Sequence, residues 1–102
     1  MKLLTQEIRK KLPPLGSQAN NLDPTIIVKL FCPWNHWTWF AYEFDGEDTF
    51  FGFVVGPYPE LGYFLLSELE SGRGPLGLPI ERDLYFQPTP LGEIMKQHEE
   101  VG

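Results

Sequence analysis

Residues 37–44, WTWFAYEF, constrain the fold strongly, because the strand that they predict is apolar on both faces. One face carries Trp37, Trp39 and Ala41, and the other carries Phe40, Tyr42 and Phe44. A strand with one face in water alternates between apolar and polar residues. This stretch therefore predicts a central strand that other parts of the chain must cover on both sides.

The neighbouring segments predict three further strands. Residues 25–32 are β-branched and apolar, and residues 49–55 and 61–66 are similarly rich in strand-forming side chains. Asp45-Gly46 separates two of these runs and predicts a hairpin with a type I′ turn, which needs positive φ. Because short connections favour antiparallel neighbours, the sequence predicts a meander of about four strands.

Helical signals lie at the two ends of the chain. Apolar residues recur at helical spacing over residues 3–12, and Pro13 ends that helix. Residues 91–100 predict a closing helix by the same spacing. A chain of 102 residues has the size of one domain. We therefore expect a single α+β domain over residues 1–102, with an antiparallel sheet flanked by a short N-terminal helix and a C-terminal helix.

Three shorter segments carry weaker signals. Ser67, with Glu70 three positions later, resembles a capping box and predicts one short helical turn with Ser67 as its N-cap. Residues 71–79 are rich in glycine and proline and predict an irregular loop packed on the sheet. Residues 80–87 alternate in polarity, which predicts a short edge strand or an extended segment.

Charge is distributed unevenly along the chain, whose formal net charge is −6. Residues 1–42 carry five basic and two acidic side chains, whereas residues 43–102 carry three basic and twelve acidic ones. Nucleic-acid binding needs lysines and arginines that displace counterions, so this balance argues against direct binding to nucleic acid. It favours a basic protein partner or mimicry of a polyanion, alongside the simpler role of keeping a small domain soluble.

The single cysteine, Cys32, excludes an intrachain disulfide and fits a reducing compartment. The N-terminal residues lack the apolar region of a signal peptide, and no apolar run approaches the roughly 18 residues of a membrane span. We therefore expect a cytoplasmic protein that does not bind a membrane.

The tryptophans and carboxylates within residues 34–48 are the candidate binding residues. Aromatic residues anchor protein interfaces, and carboxylates can steer a basic partner. The predicted partner-binding residues are Trp34, Trp37, Trp39, Glu43, Asp45, Glu47 and Asp48. The structural alternative is a core strand that runs into a solvated turn. The exposure of the Trp37 and Trp39 indoles distinguishes the two.

A second functional class stays open, namely a small metal-binding protein or a hydrolase-like enzyme that uses clustered carboxylates with Cys32 or His36. A structural zinc site needs four ligands at recognisable spacing, and His98 is the only other histidine. The acidic stretch lacks the spacing of a calcium loop, and the chain has no nucleophile elbow or phosphate loop. We therefore predict a non-enzymatic protein without a cofactor or a metal site.

Four runs carry a resemblance to a known family. They are MKLLTQEIRKKLPPL at the start, EFDGEDTFFGFVVG at 43–56, ELGYFLLSELES at 60–71 and GPLGLPIERDLYFQPTPL at 74–91. In these runs, which span nearly the whole chain, it resembles a bacterial family of small proteins called domain of unknown function 2958. It departs mildly from that family at PYPE (57–60) and CPWNH (32–36).

The resemblance implies a freestanding cytoplasmic protein of plasmids and other mobile elements. Such genes often lie near replication, mobilisation or antirestriction genes, and the family brings no established activity or functional residues. Together with the acidic charge, this context suggests a protein-binding domain that inhibits a host nucleic-acid-processing or defence complex, such as a nuclease or a CRISPR complex. We expect a monomer or a small homo-oligomer.

Overall fold

A five-stranded antiparallel sheet organises the chain in a computed structural model that describes residues 2–99. The strands are β1 (Thr25–Ile26), β2 (Val28–Phe31), β3 (Thr38–Phe44), β4 (Thr49–Val55), β5 (Pro59–Leu65), β6 (Glu81–Arg82) and β7 (Thr89–Pro90). The helices are α1 (Gln6–Lys11), α2 (Leu66–Ser71) and α3 (Leu91–Gln97), and a 3-10 turn spans Pro75–Gly77. The predicted α+β fold with helices at both ends is confirmed.

The sheet order is β5-β4-β3-β2-β6, so the predicted meander is confirmed and the sheet has five strands instead of four. The extra strand comes from the predicted edge segment, where β6 pairs with β2. Residues predicted as one strand over 25–32 divide at Ile27. The division arises because β1 pairs with β7 in a separate two-stranded ribbon, whereas β2 pairs with β3.

A β-bulge changes which side chains share a face of β3. Ala41 pairs with Gly52 and Glu43 pairs with Phe51, so Tyr42 is the extra residue. Beyond the bulge, each side chain of β3 therefore points to the opposite face of the sheet from the one that regular alternation would give. Phe44 therefore packs with Trp39 and not with Phe40, and the sequence-based assignment of Phe44 was wrong.

Apolar residues pack on both faces of the sheet, which answers the need for cover that the pattern of residues 37–44 implied. The face that bears Trp39 is called the tryptophan face, and the face that bears Phe40 is called the phenylalanine face. Buried on the tryptophan face are Leu3, Leu4, Leu12, Val28, Leu30, Cys32, Trp39, Ala41, Phe44, Phe50, Phe64, Leu66, Leu69 and Ile80. Buried on the phenylalanine face are Ile26, Phe40, Tyr42, Phe53, Leu91 and Ile94. The N-terminal segment and α2 thus cover one face, and α3 covers the other.

The ends of all three α-helices differ from the sequence-based expectation. Helix α1 begins after Thr5, whose hydroxyl accepts a hydrogen bond from the Ile8 N–H at 3.2 Å. Helix α2 begins at Leu66, so Ser67 lies inside it and its predicted N-cap role is wrong. Helix α3 ends at Gln97, and residue 100 of the predicted helix lies outside the described residues. None of the helices within residues 2–99 is long and apolar enough to cross a membrane.

Candidate functional site

The three tryptophans lie in different environments. Trp34 is partly buried against the glycine-rich loop, where a Cβ on Gly74 would come within 2.2 Å of the indole. Trp39 is buried, with 9% of its surface exposed, whereas Trp37 keeps 39%. The protein therefore covers Trp34 and Trp39 with its own residues and leaves the Trp37 indole open to solvent.

Trp37 is held in place by contacts with Trp39 and Gly56. Its ring centroid lies 5.9 Å from that of Trp39 with an interplanar angle of 25°, so the two indoles stack. A Cβ on Gly56 would come within 2.5 Å of the Trp37 ring, which places the indole directly against the Gly56 backbone. An indole fixed in this way loses little conformational entropy when it contacts a partner.

A groove of about 420 Å³ opens beside these indoles on the tryptophan face, and we call it the tryptophan groove. Its lining residues are Trp37, Trp39, Val54, Glu60, Gly62, Tyr63, Phe64, Leu65, Glu68 and Leu69. Strand register brings the distant members together, because Trp39 pairs with Val54 and Val54 pairs with Glu60. A Cβ on Gly62 would meet no atom within 4 Å, so this glycine leaves the floor open.

The charged residues that line the groove are Glu60 and Glu68, and both are exposed. Aromatic faces attract the cations of lysine and arginine, and carboxylates accept hydrogen bonds from them. The groove therefore has the chemistry to hold a basic side chain. Sequence reasoning missed both glutamates, which lie 23 and 31 positions beyond Trp37 and join it only through the pairing of β3, β4 and β5.

Glu43, predicted as a partner-binding residue, lies inside the protein with 4% of its surface exposed. Its two carboxylate oxygens accept hydrogen bonds from the backbone N–H groups of Gly16 and Gln18, each at 2.8 Å. The carboxylate thus ties the loop that follows α1 to the central strand. Both of its oxygens are engaged within the chain.

Asp45 organises the β3–β4 hairpin. Its Oδ1 accepts hydrogen bonds from the backbone N–H groups of Glu47, Asp48 and Thr49 at 2.8 to 3.0 Å. These bonds hold the pKa of Asp45 below its ordinary value, since they favour the ionised form. The Asp45 N–H donates to the Thr49 carbonyl, so three residues form the loop. The hairpin prediction is confirmed, but the type I′ turn is wrong, because Asp45 is not among the residues with positive φ.

Asp48 links the hairpin to α2. Its Oδ1 accepts from the Ser67 N–H at 2.8 Å, and its Oδ2 accepts from the Ser67 hydroxyl at 2.7 Å. The carboxylate therefore supplies the helix cap that the sequence assigned to Ser67 itself. The fourth predicted acid, Glu47, is exposed at the hairpin tip.

The predicted tryptophans and acids lie at opposite ends of β3. Trp37 precedes this strand and Asp45 follows it. At roughly 3.3 Å per residue, the eight positions between them span about 25 Å. The structure thus brings Trp37 and Trp39 together with Glu60 and Glu68, and it does not bring them together with Glu43, Asp45, Glu47 and Asp48.

A second opening of about 630 Å³, which we call the histidine cleft, lies beside β2 and β6, near the residue that follows α3. Among its lining residues are Cys32, His36, Glu81, Asp83 and His98. Burial raises the pKa of the Cys32 thiol, and a hydrogen bond with Asn35 opposes that shift, so the thiol stays protonated at neutral pH. Within residues 2–99, no three His, Cys, Asp or Glu side chains are arranged to hold a metal ion.

Comparison with protein families finds a match to the model described as protein of unknown function (DUF2958), which covers residues 3–102. No curated protein and no solved structure matches the chain.

Proposed function

We propose that this chain, which belongs to the family of proteins of unknown function DUF2958, is a non-enzymatic domain that binds another protein. The tryptophan groove is its binding site, and a basic segment of the partner is the bound element. The observation that carries this proposal is the half-open Trp37 indole beside Glu60 and Glu68. Tryptophan is enriched at the centres of protein interfaces, and here an indole of fixed orientation lies in a groove with two exposed carboxylates, which supports a partner-binding role.

The geometry favours a cationic side chain over an apolar one. An apolar anchor would desolvate Glu60 and Glu68 without offering them a hydrogen bond, whereas lysine or arginine would pair with them. A cation over an indole adds about 0.5 to 2 kcal/mol, depending on how far it is desolvated. The net charge of −6 would attract such a partner over longer distances.

The partner class follows from the same charge. Proteins that bind nucleic acid expose lysine- and arginine-rich faces, to which an acidic domain is complementary. We place the protein in the cytoplasm of a bacterium that carries a plasmid or another mobile element. There it would occupy the nucleic-acid-binding face of a host nuclease or a defence complex such as a CRISPR effector, and so act as an anti-defence protein.

Quantitative capture from an extract of a bacterial host tests this proposal. The bait pair is the wild type and the double variant Glu60→Gln, Glu68→Gln, with recovered proteins measured by mass spectrometry. The matched control is Glu93→Gln, Glu99→Gln, which removes the same charge at exposed positions on and after α3. We expect a basic protein whose recovery falls about tenfold with the groove variant and stays unchanged with the control.

A fourth bait distinguishes the effect of charge from the effect of groove shape. Gly62→Val keeps the charge of the groove and fills its open floor. If the groove is the binding site, this variant also loses the basic protein. Equal recovery by the wild type, the groove variant and Gly62→Val would contradict the proposal.

A second candidate function, small-molecule binding, rests on the histidine cleft. The Nδ1 atom of His98 lies 3.0 Å from the Ile94 carbonyl oxygen, which can only accept a hydrogen bond. Nδ1 therefore donates a hydrogen bond to that carbonyl, which fixes the orientation of the ring in the cleft. The volume of about 630 Å³ is in the range of ligand pockets. Hydrolase-like chemistry with Cys32 or His36 would use this same cleft.

Screening a fragment library by amide chemical-shift changes tests the second candidate. We expect a bound fragment to shift the signals of Phe31, Thr38 and Val55, which line the cleft, and His98→Ala to abolish the shifts. Shifts that survive His98→Ala, or a library without a binder in the cleft, would contradict it.

A further inference from the structure

Strand β5 is the long open edge of the sheet. The order β5-β4-β3-β2-β6 leaves its outer side without a neighbouring strand among residues 2–99, and β5 has seven residues where the opposite edge strand β6 has two. An open edge of this length presents a row of backbone groups to which another chain can pair.

The hydrogen-bond ladder shows which backbone groups of β5 point outward. The Leu66 N–H donates to the Asp48 carbonyl at 2.8 Å, one step beyond the Thr49–Leu65 pair. Hydrogen-bonded pairs alternate along an antiparallel ladder, so the backbone groups of Phe64, Gly62 and Glu60 face β4. Those of Tyr63 and Leu61 consequently face the open edge.

The two faces of this edge differ in chemistry. Glu60 and Gly62 lie on the tryptophan face and line the tryptophan groove. Leu61 and Tyr63 lie on the phenylalanine face, where 46% and 69% of their surfaces are exposed. An incoming strand would therefore meet carboxylates and open space on one face and apolar side chains on the other.

We propose that the basic segment binds as an extended strand along the open edge of β5, with lysine or arginine on the tryptophan face and apolar residues on the phenylalanine face. This inference rests on the proposed function and specifies the conformation and sequence pattern of the partner. Main-chain hydrogen bonds to Leu61 and Tyr63 would supply affinity, and the alternating side chains would supply specificity.

Strand spacing explains why the groove selects a long basic side chain. Neighbouring strands lie about 4.8 Å apart, so an added strand would lie about 10 Å from β4, at whose end the Trp37 indole packs against Gly56. Lysine and arginine have the longest side chains and reach farthest across that distance, and Gly62 leaves their path open. Glu60 and Glu68 lie along the same groove, where they can pair with the cationic end.

The negative charge of the chain disfavours pairing of β5 with the β5 strand of a second copy. Each copy carries a net charge of −6. Antiparallel pairing of two β5 strands about Gly62 would also bring both sets of groove glutamates to one interface, which is unfavourable for like charges. A basic segment reverses the sign of that interaction.

The experiment compares two fluorescein-labelled peptides by anisotropy. In one, arginine alternates with valine; in the other, the same residues form one block of arginine and one of valine. Leu61→Pro removes an outward N–H without removing a β4–β5 hydrogen bond, and Leu61→Ala is its matched control with the N–H intact. We expect the alternating peptide to bind the wild type more tightly than the block peptide. Leu61→Pro should lose about tenfold in affinity and Leu61→Ala much less.

Amide hydrogen exchange in the wild type keeps the test independent of how well Leu61→Pro folds. The Leu61 and Tyr63 amides should exchange rapidly in the free protein and at least about tenfold more slowly with the alternating peptide bound. Unchanged exchange of these two amides in the bound state would overturn the edge-pairing inference.

The remaining outcomes separate the two proposals. If both peptides bind equally and only Glu60→Gln, Glu68→Gln weakens them, edge pairing is overturned and the proposed function stands. If that variant binds both peptides like the wild type, or if neither peptide binds the wild type, both proposals are overturned for this groove. A dimer in light scattering that Leu61→Pro dissociates would assign the edge to a second copy and overturn the inference.

Discussion

The acidic residues in and beside the β3–β4 hairpin and those of the tryptophan groove have the same charge but different roles. Glu43, Asp45 and Asp48 accept hydrogen bonds from backbone N–H groups in the loop after α1, in the hairpin and in α2. Glu60 and Glu68 instead lie exposed beside an open indole. Carboxylates in and beside this hairpin are thus engaged by backbone donors of the chain itself, near in sequence for Asp45 and distant for Glu43 and Asp48. The groove carboxylates, which strand pairing brings beside Trp37, stay accessible to a partner.

The largest effect that would test this contrast concerns Glu43. Glu43→Ala leaves the Gly16 and Gln18 N–H groups without their carboxylate acceptor and opens space in the interior. We expect the free energy of unfolding to fall by about 3 kcal/mol, the size of two hydrogen bonds to a charged group. Urea denaturation measures it, with Glu47→Ala at the exposed hairpin tip as the control. A loss below about 1 kcal/mol would show that Glu43 is not structural.

Asp48 should have the next largest effect. Asp48→Ala removes the cap of α2, and capping residues contribute about 1 kcal/mol. Thermal unfolding of Asp48→Ala, compared with Ser67→Ala, separates the backbone cap from the side-chain bond, because Ser67→Ala keeps the N–H that donates to Asp48. Equal losses in the two variants would assign the whole effect to the hydroxyl bond.

Asp45 should give a smaller and pH-dependent effect. Its pKa is lower in the folded state than in the unfolded state, so its contribution to stability is present above the ordinary aspartate value of about 3.9 and disappears as the pH falls through the folded pKa. We expect Asp45→Asn to melt at a lower temperature than the wild type at pH 7, and the two melting temperatures to converge in acid. A difference that persists at the lowest pH would point to geometry and not to charge.

The groove acids should have the smallest effect on stability. We expect Glu60→Gln, Glu68→Gln to change the free energy of unfolding by less than about 0.5 kcal/mol, as exposed substitutions generally do. Urea denaturation of the binding-deficient variant provides the measurement. A loss as large as that of Asp48→Ala would place these glutamates with the structural acids and remove the contrast.

The sequence predicts the sheet because its strands repeat a local pattern. Residues 49–55 match β4, and Asp45-Gly46 marks the hairpin correctly, since both signals depend on neighbouring side chains. The bulge at Tyr42 has no comparable local signal, and it moves Phe44 to the other face. One extra residue is therefore enough to misplace every side chain that follows it in a strand.

The candidate site was only partly accessible to sequence reasoning. The cluster of tryptophans identified Trp37, whose exposure could not be known without the position of Gly56 beneath it. Glu60 and Glu68 enter the groove through the register of two strand pairs and the start of α2. Proximity along the chain instead favoured the hairpin acids. Their hydrogen bonds to backbone N–H groups depend on the three-dimensional conformation of the turn, which the sequence alone does not give.

The bond between Asp48 and Ser67 also makes the groove a cooperative unit. Helix α2 has six residues, too few to be stable as an isolated helix, and it carries the Glu68 wall. Its first turn is held by the hairpin and not by a cap of its own. The stability of this wall is therefore coupled to that of the hairpin, and we expect a partner bound against Glu68 also to slow the exchange of amides at the Thr49 end of β4.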